Sequence, residues 1–572
     1  MPAGAVAINA LPTGGQVSAG VAAISSTANT LTVNQSSQRA AINWQSFSVG
    51  SAATVNFVQP NASSVVLNRV VGNEQSVIAG AMNANGQVFL LNSNGVLFTG
   101  TSSVNVGGLV ASTLNLSDAD FMAGRNTFTA NASKASVINL GTINAADGGY
   151  VALLGNQVKN EGVITARLGT AILASGDQIS LNFNGDSLVG VSIDQGSLNA
   201  LVENKQAIYA DGGLVVLTAK GLDAVMATVV NNTGEIRAQT VATREGKIYL
   251  LGGMDNNRIE VGGTLDAGAP NGGNGGFIET SGAHVAIADG AKITTAAASG
   301  LTGSWLLDPV DFTIAASGGD ITGAALGNLL GSNSVTVQTA TGTNSSTNLY
   351  GTTVGNGDIT VNDAVSWSAN NTLTLNADRN ININQAITAS GASGALALLY
   401  GQGAVAASNT ATYSIGAPVN LMAGNNFSTK LGSDGSIVSY TVITSTGAQG
   451  DQSSTGNNTL QGMAYSGNLA GHYALGANLS TATPTSSWNS PGGFAPIGSS
   501  STAFSGTFEG LGHTISGIVS NTASPNGLHN VGLFGAIGSA GLVQNFTLNI
   551  AVGGQPTSVG WRAPMRARST MS

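Results

Sequence analysis

The sequence predicts an all-β protein, a right-handed parallel β-helix (β-solenoid) with an N-terminal capping region. Short segments recur with a period near 21 residues, and apolar residues occupy alternate positions within each segment. Glycine contributes 80 residues, and charged residues make up only 8% of a chain that is 42% hydrophobic. A unit this short cannot bury its own apolar face, so the copies must stack on one another.

Two motifs alternate along the middle of the chain. An Asn-x-Gly-x-Ile-x-Ala pattern begins at Asn139, Asn160 and Asn232, and the first two copies lie 21 residues apart. Because side chains alternate between the two faces of a strand, the alternate positions of each copy share one face. The second motif is a glycine followed by alternate apolar residues, and it begins at Gly149, Gly246 and Gly276.

Three further features refine this picture. Two Asp-Gly-Gly turns, at Asp147 and Asp211, lie 64 residues apart, which predicts about three coils of 21 residues between them. Ser117, followed by Asp118, predicts the cap of one short helix. The segment around Trp305 interrupts the repeat.

Changes of composition divide the chain into five regions. We expect β-helix in 1–250, its continuation in 251–310 and a Ser/Thr/Asn/Gly-rich β-helical region with irregular loops in 311–470. A Gly- and Phe-containing segment follows in 471–550. The last region, 551–572, has an atypical composition and carries Arg562, Arg566 and Arg568.

Residues 83–98 contain the same pattern twice, nine residues apart. Each copy is an Asn-x-Asn-Gly sequence that leads into a short apolar strand. Asn-Gly supplies the positive φ angles that tight turns need, so we predict two structural turns with stacked asparagines. Exposed turns often bind partners, so a recognition role stands beside the structural one. The residues concerned are Asn83, Asn85, Gly86, Asn92, Asn94, Gly95, Val96, Leu97 and Phe98.

Composition argues against several classes of function. The net charge is −9 and no basic patch is visible, which argues against nucleic-acid binding. The absence of Cys excludes disulfides and thiolate metal sites. No apolar stretch is long enough for a transmembrane helix, so we expect no membrane insertion. No signal peptide is visible at the start, which indicates either a cytoplasmic protein or a chain that lacks its natural beginning.

The acidic and histidine residues do not predict a catalytic, cofactor or metal site. The histidines show no metal-ligand spacing, and surface or turn positions suit them better. They are His284, His472, His513 and His529. Acid pairs are the main test for a β-helical enzyme, but here they lie where turns are expected. These acids are Asp118 with Asp120, Asp147, Asp211, Asp308 with Asp311, and Asp358 with Asp363.

Several motifs point to a known family. They are Asn43-Trp44-Gln45-Ser46-Phe47, Val55-Asn56-Phe57-Val58-Gln59-Pro60-Asn61, Leu67-Asn68-Arg69-Val70, Gln87-Val88-Phe89-Leu90, Asn92-Ser93-Asn94-Gly95-Val96 and Val106-Gly107-Gly108-Leu109-Val110. With them, the first 300 residues resemble the N-terminal secretion domain of filamentous-haemagglutinin-type exoproteins of two-partner secretion. Ser93 stands where the family motif has Pro. The Trp305-Leu306-Leu307-Asp308-Pro309 junction and a segment at 504–515, similar to the GLUG repeat of such adhesins, extend the resemblance.

The resemblance implies a secreted, surface-associated adhesin without enzymatic activity. Its partners would be an outer-membrane β-barrel transporter with POTRA domains and a surface receptor. The N-terminal region would then be a capping and secretion region, with residues 1–250 as the two-partner secretion domain. Its motif residues, with Asn68 and Arg69 added, become candidate transporter-recognition residues. The alternatives are haem or haem-carrier acquisition and a β-helical polysaccharide-active enzyme. No signal peptide of the kind that the family uses is visible here, and from the resemblance we expect that it is missing from the start of this chain.

Overall fold

The computed structural model describes most of the chain. The described ranges are 6–131, 133–183, 188–222, 227–255, 257–340, 355–453, 458–481, 485–489, 492–520, 532–552, 555–561 and 565–566. His529, Arg562 and Arg568, which the sequence analysis named, lie outside them. Within these ranges, no helix is both long and apolar enough to cross a membrane.

The chain folds as two compact units. Within the described ranges, unit 1 consists of residues up to 310 with 332–334 and 355. Unit 2 consists of 311–331, 335–340 and the residues from 356 onward. The functional boundaries predicted at 250, 310, 470 and 550 stay predictions.

Unit 1 is a stack of coils whose strands form three parallel faces, here called A, B and C. Face A contains β3 (Thr30–Gln35), β5 (Thr54–Val58), β8 (Ala81–Ala84), the first halves of β11 (Ser103–Ser112) and β14 (Thr142–Gly155), β16 (Val163–Thr165), β21 (Ala207–Tyr209), β24 (Glu235–Arg237), β27 (Thr264–Asp266) and β30 (Lys292–Thr294). Face B contains β4 (Arg39–Trp44), β6 (Val65–Val70), β9 (Gln87–Leu91), the second halves of β11 and β14, β17 (Thr170–Ser175), β22 (Leu214–Ala219), β25 (Lys247–Gly252), β28 (Phe277–Ser281) and β31 (Ser304–Asp308). Face C contains β7 (Ser76–Ile78), β10 (Val96–Phe98), β13 (Ser136–Asn139), β15 (Gln157–Asn160), β20 (Leu201–Asn204), β23 (Ala227–Asn232), β26 (Asn257–Val261) and β29 (His284–Ile287).

The predicted parallel β-helix is therefore confirmed. Alternate residues face inward and are buried, as the period-2 pattern requires. The predicted short helix is also present: α1 (Asp118–Met122) begins after Ser117, whose hydroxyl accepts a hydrogen bond from the Asp120 amide. The segment around Trp305 does not interrupt the coils. As β31 it pairs in register with β28, with Trp305 opposite Ile278, because its alternate residues continue the inward row.

A buried asparagine ladder holds the coils in register. Asn139, Asn160, Asn204 and Asn232 occupy one position on successive coils, and each is completely buried. Each of the first three donates its side-chain amide to the Oδ1 atom of the next, over 2.8 Å. Asn204 is a member that the sequence motif does not show, since Gln206 stands where the motif has glycine.

A column of glycines lines the corner between faces A and B. A Cβ atom on Gly149 would meet the carbonyl oxygen of Gly107, and one on Gly169 would meet that of Gly149. Gly213 stands in the same relation to Gly169. The backbones approach so closely that only glycine fits at these corners.

The glycine column corrects the predicted number of coils between Asp147 and Asp211. β14 pairs with β17, and β17 pairs with β22, so two steps of the stack separate these turns rather than three. The extra length lies in an excursion that contains β18 (Gln178–Asn182) and β19 (Gly190–Gln195). Spacing alone could not separate a third coil from an insertion.

Two sets of antiparallel strands lie against the parallel coils of unit 1. β1 (Gln16–Ala19) and β2 (Ala22–Ser26) pair antiparallel with β4 and β3, and so cap the first coil. The strands β18 and β19 form an antiparallel sheet with β12 (Thr127–Thr129). Phe128 and Ile179 of this sheet and Phe121 of α1 pack in one apolar cluster with Phe89 of face B.

Unit 2 repeats the coil pattern with shorter strands. Three parallel rows contain β33 (Ser334–Gln338), β36 (Thr372–Asn376), β39 (Ala395–Tyr400) and β42 (Gly424–Leu431); β32 (Phe312–Ile314), β34 (Ile359–Val361), β37 (Ile381–Ile383) and β40 (Tyr413–Ile415); and β35 (Val365–Trp367), β38 (Ile387–Ala389) and β41 (Val419–Leu421). The later strands are β43 (Val438–Ile443), β44 (His472–Leu475), β45 (Leu479–Ser480), β46 (Thr507–Glu509), β47 (Thr514–Ser520), β48 (Leu542–Gln544), β49 (Phe546–Val552), β50 (Gln555–Trp561) and β51 (Met565–Arg566). The helix α2 (Gly323–Leu330), capped by Thr322, was not predicted.

Candidate functional site

The first copy of the doubled motif is a corner between two strands. Asn83 lies in β8, and Gly86 lies between β8 and β9 without a positive φ angle, so the predicted tight turn is wrong here. Gly86 is required for a different reason. A Cβ atom at this position would lie 2.7 Å from both Gln59 Oε1 and the Ser64 carbonyl oxygen.

Asn85 fixes this corner to the preceding coil. The Gln59 amide donates to Asn85 Oδ1, and Asn85 Nδ2 donates to the Gln59 carbonyl, each over 2.8 Å. The Gln59 side chain is itself buried and accepts from the Gly86 amide over 3.1 Å. Its Nε2 donates to Gln35 Oε1 over 3.1 Å. Asn85 is thus an exposed residue whose side chain is bonded to the Gln59 backbone.

The second copy is the tight turn that the sequence predicts. Asn92 is 1% exposed, and its Oδ1 accepts from the Asn94 amide over 2.9 Å. Gly95 has a φ of 109° and donates its amide to the Asn92 carbonyl over 3.0 Å. Asn94 Nδ2 donates to the Gly72 carbonyl over 2.9 Å, which ties the turn to the chain one coil earlier.

The strand after this turn, β10, divides its residues between core and surface. Val96 and Phe98 point inward and are completely buried. Leu97 points outward and is half-buried, between Val77 of β7 and Ile138 of β13, which lie opposite it in the parallel register. Face C therefore presents a short outward apolar row formed by Val77, Leu97 and Ile138, which we call the apolar row.

Asn68 and Arg69 are adjacent in β6 and point in opposite directions. Asn68 is completely buried; its Oδ1 accepts from Trp44 Nε1 over 3.0 Å. Arg69 points outward and anchors the segment around α1. It forms an ion pair with Asp118 over 2.7 Å and donates to the Leu116 carbonyl over 2.5 Å. Motif matching cannot separate these two roles.

An exposed asparagine ladder on face A was missed by the sequence analysis. Asn83 Nδ2 donates to Asn56 Oδ1 over 3.1 Å, and Asn144 Nδ2 donates to Asn105 Oδ1 over 3.0 Å. The strand register places all four residues on one outward row. Their sequence separations differ from coil to coil, so no fixed period could have revealed them.

A cavity of about 500 Å³ lies beside face B in unit 1. Its lining includes Arg39, Gln87 and Tyr150, and Tyr150 donates its hydroxyl to Gln87 Oε1 over 2.8 Å. Arg39 donates to the Phe121 carbonyl over 2.9 Å, and burial lowers the pKa of its guanidinium. Arg39 thus joins the coils to α1, whereas the bond between Tyr150 and Gln87 joins two strands of face B.

Seven of the acids that were candidates for catalysis take part in the following structural contacts. Asp147 pairs with Arg167, and Asp211 forms a bidentate pair with Arg237, with contacts of 3.0 and 2.8 Å. The remaining contacts are Asp118 with Arg69, Asp120 with Ser117 and Arg125, Asp311 with the amides of Asn356 and Asp358, Asp358 with Arg379, and Asp363 with the amide of Gly323.

The described histidines belong to different elements: His284 lies in β29, His472 in β44 and His513 just before β47. His513 is 1% exposed, and its Nε2 lies 2.8 Å from the Val419 carbonyl. Burial lowers the pKa of His513. His472 is exposed and contacts the ring of Tyr440. Among the described residues, no group of three or more His, Asp or Glu residues could hold a metal ion.

The predicted recognition residues of 83–98, with Asn68 and Arg69, lie together on consecutive coils of unit 1. A family model described as "TPS secretion domain" matches residues 6–267. The chain carries a TPS secretion domain. The TPS match confirms the family that the sequence motifs indicated, and it encloses every predicted recognition residue.

Two relatives support the assignment of this domain. Two proteins of Haemophilus influenzae, each named "Heme/hemopexin-binding protein", are 35% identical over 249 residues and 30% identical over 247 residues. The matches cover 42% and 39% of this chain. They cover 27% and 26% of the relatives, so the chain spans about a quarter of their length.

A solved structure shows the same fold. The crystal structure of the HMW1 secretion domain from Haemophilus influenzae aligns with a TM-score of 0.51 at 24% identity. The alignment covers 71% of this chain and 98% of the solved chain.

Proposed function

We propose that the chain is a secreted two-partner exoprotein that acts as an adhesin at the bacterial surface. Its residues 6–267 serve as the export address for an outer-membrane β-barrel transporter with POTRA domains. The TPS match over these residues carries the proposal. The β-helical passenger then presents its loops and strand edges to a receptor.

The predicted recognition residues divide into two roles under this proposal. The buried members shape the coils: Asn68, Gly86, Asn92, Gly95, Val96 and Phe98. The members with accessible surface are available to the transporter: Arg69, Asn83, Asn85, Asn94 and Leu97. Leu97 carries the most specific expectation, because a half-exposed apolar row is a typical contact surface.

Secretion in cells that express the cognate transporter tests the export role. Deleting residues 83–98 should abolish secretion. Leu97→Asp should reduce the secreted fraction by about tenfold, as the loss of a central apolar contact does in other interfaces. Lys159→Ser is the matched control, since Lys159 lies on the same outward row beyond Ile138. Normal export of the deletion variant would contradict the proposal.

Folding and recognition are separated by purifying the same variants. Leu97→Asp should keep the β-sheet circular dichroism of the parent chain while it loses secretion. A variant that unfolds would instead show that Leu97 acts through stability. In that case the exposed Asn85 would be the next candidate for contact with the transporter. Asn85→Ala would test it, with Asn105→Ala as the control.

We infer a non-enzymatic mechanism. Asp211 and Asp358 are engaged with arginines, and Asp363 accepts from the backbone amide of Gly323, the first residue of α2. A polysaccharide-active enzyme would instead need two carboxylates directed at one substrate cleft. Degradation of an acidic polysaccharide that one Asp→Asn change abolished would contradict this inference.

Haem or haem-carrier acquisition is a second candidate, and the name of the two Haemophilus influenzae relatives favours it. Retention of the purified chain on haemin-agarose and on hemopexin resin would distinguish it from adhesion. Among the described histidines, His472 is the exposed one to replace, whereas His513 is held by the Val419 carbonyl. Binding that His472→Ala abolishes would favour haem; binding to host cells alone would favour adhesion.

A further inference from the structure

The strand β40 in unit 2 has one edge that no described strand covers. It pairs in parallel with β37, with Ile381 opposite Tyr413 and Ile383 opposite Ile415. The Ile381 amide donates to the Thr412 carbonyl over 3.1 Å, and the Gly416 amide donates to the Ile383 carbonyl over 2.7 Å. Backbone groups alternate in direction along a strand, so those of Tyr413 and Ile415 point away from β37.

The inward residues of β40 are less buried than those of the preceding strands in its row. In the two preceding strands of the row, the inward residues are completely buried: Ile359, Val361, Ile381 and Ile383. Their counterparts in β40, Tyr413 and Ile415, are only half-buried. One further strand with apolar residues at alternate positions would cover both of them, as each strand of the row covers the one before it.

A bounded cavity occupies the place of that strand. It has a volume of about 660 Å³ and is lined by β40 on one side and by the β48–β49 corner on the other. Tyr413 donates its hydroxyl to Glu509 Oε2 over 2.7 Å, and Gln544 Nε2 donates to the Tyr413 hydroxyl over 2.7 Å. These contacts join the two walls. A volume of this size is typical of sites that hold a ligand.

The chemistry of the walls limits what can occupy the cavity. The lining residues are aromatic, aliphatic or neutral polar, without a lysine or arginine. Both Tyr413 and Gln544 contact the buried carboxylate of Glu509. An acidic occupant would therefore be disfavoured. On the outer face, Ser414 donates to Asn382 Oδ1 over 3.1 Å, so a neighbouring polar side chain would continue this row.

We propose that the edge of β40 that no described strand covers binds an extended, non-acidic peptide segment of a partner protein as an additional parallel strand. Apolar side chains at alternate positions of the segment cover Tyr413 and Ile415. Polar side chains between them face outward beside Ser414. Backbone hydrogen bonds to β40 provide the affinity of the segment. The space beside Tyr413 and Ile415 selects the inward side chains, as pockets do in other cases of strand addition.

The test uses a synthetic peptide with the sequence of residues 380–385, Asn-Ile-Asn-Ile-Asn-Gln, which has the required alternation. Fluorescence anisotropy of the labelled peptide against the purified full chain should show saturable binding. Two derivatives carry N-methyl groups on alternate amides, in the two complementary registers. One register should weaken binding by about tenfold or more, since it removes the bonding amides, and the other should leave binding nearly unchanged.

A pair of protein variants tests the same edge. Ile415→Pro removes the amide that faces the cavity but leaves the amides bonded to β37, so the strand should stay in place. It should weaken peptide binding by about tenfold, whereas Ile415→Val should change it by less than about twofold. Near-ultraviolet circular dichroism confirms that each variant is folded.

Three results would overturn the proposal. The first is the absence of saturable binding to the full chain. The second is equal binding of both methylated peptides, which would indicate apolar adsorption rather than strand pairing. The third is a dimer of the parent chain that Ile415→Pro converts to a monomer, which would make a second copy the occupant of this edge.

Discussion

Replacing Asn160 by Ala should destabilise unit 1 strongly, because this residue is an inner member of the buried asparagine ladder. Its Oδ1 accepts from Asn139 over 2.8 Å. Its Nδ2 donates to Asn204 Oδ1 over 2.8 Å and to the carbonyls of Gly162 and Ala207 over 3.1 and 3.2 Å. Alanine would leave the Asn139 donor and the Asn204 acceptor in the core facing no partner.

The expected magnitude follows from these two orphaned groups. A buried polar group without its partner costs about 1–3 kcal/mol, so the pair predicts a loss of about 2–6 kcal/mol in the free energy of unfolding. Coils interact mainly with their neighbours, so the damage should concentrate near β13, β15 and β20. Urea unfolding of the full chain measures the total, and hydrogen exchange by mass spectrometry shows where amide protection falls.

Asn105→Ala is the matched control. Asn105 also belongs to an asparagine ladder, but its side chain is exposed, so water can replace its partners. Its loss should change the free energy of unfolding by no more than about 0.5 kcal/mol. A loss below about 1 kcal/mol for Asn160→Ala, or equal losses for the two variants, would refute the reasoning that burial makes the inner ladder decisive.

Three more outcomes are expected. Gly169→Ala should destabilise unit 1 by more than about 1 kcal/mol in urea unfolding, because its Cβ atom would meet the Gly149 carbonyl oxygen. Gly148→Ala is the control: this position has open space around it and a φ of 78°, so the substitution should cost about 1 kcal/mol from backbone strain alone. A larger loss for Gly148→Ala than for Gly169→Ala would contradict this reasoning. Burial raises the pKa of Glu509 in the folded chain above its unfolded value near 4.5. The contribution of Glu509 to the free energy of unfolding is therefore fully present below pH 4.5 and falls as the pH rises towards the folded pKa. The urea midpoint of Glu509→Gln should lack this part of the pH dependence, and identical profiles for the variant and the parent would count against it. Arg69→Ala should increase hydrogen exchange in α1 while β6 stays protected, because Arg69 pairs with Asp118 and donates to the Leu116 carbonyl. Unchanged exchange in α1 would show that packing alone holds the helix.

Local repetition made the fold predictable. Alternate apolar residues and the recurring Asn-x-Gly pattern indicated stacked parallel strands, and the described coils follow them. The coil that contains Asn204 was harder to find, because Gln206 replaces the glycine of the motif. The distance from Asp147 to Asp211 was misleading because an excursion adds length without adding a coil. The helix α2 follows a Thr cap in a region whose composition suggested irregular loops.

The candidate site was located by the sequence but not resolved by it. The motifs placed Asn68, Asn92 and Leu97 in one region, and these residues do lie on consecutive coils. Which of them faces solvent depends on inward or outward alternation in a stack. Gly86 and Gly95 illustrate the limit: both follow Asn, but one avoids a steric clash while the other adopts a positive φ angle. Identical dipeptides cannot reveal that difference.

The antiparallel strands β1 and β2 give the stack of unit 1 a direction of growth. They cover the edges of β4 and β3 that face the amino terminus, so no strand of an earlier coil can add there. Each completed coil then leaves one open edge, on which the next segment of the chain can add. A chain that emerges with its amino terminus first would therefore meet its template in the right order. Unidirectional addition of this kind would also oppose backward movement of the emerging chain, since every added coil would have to unfold first.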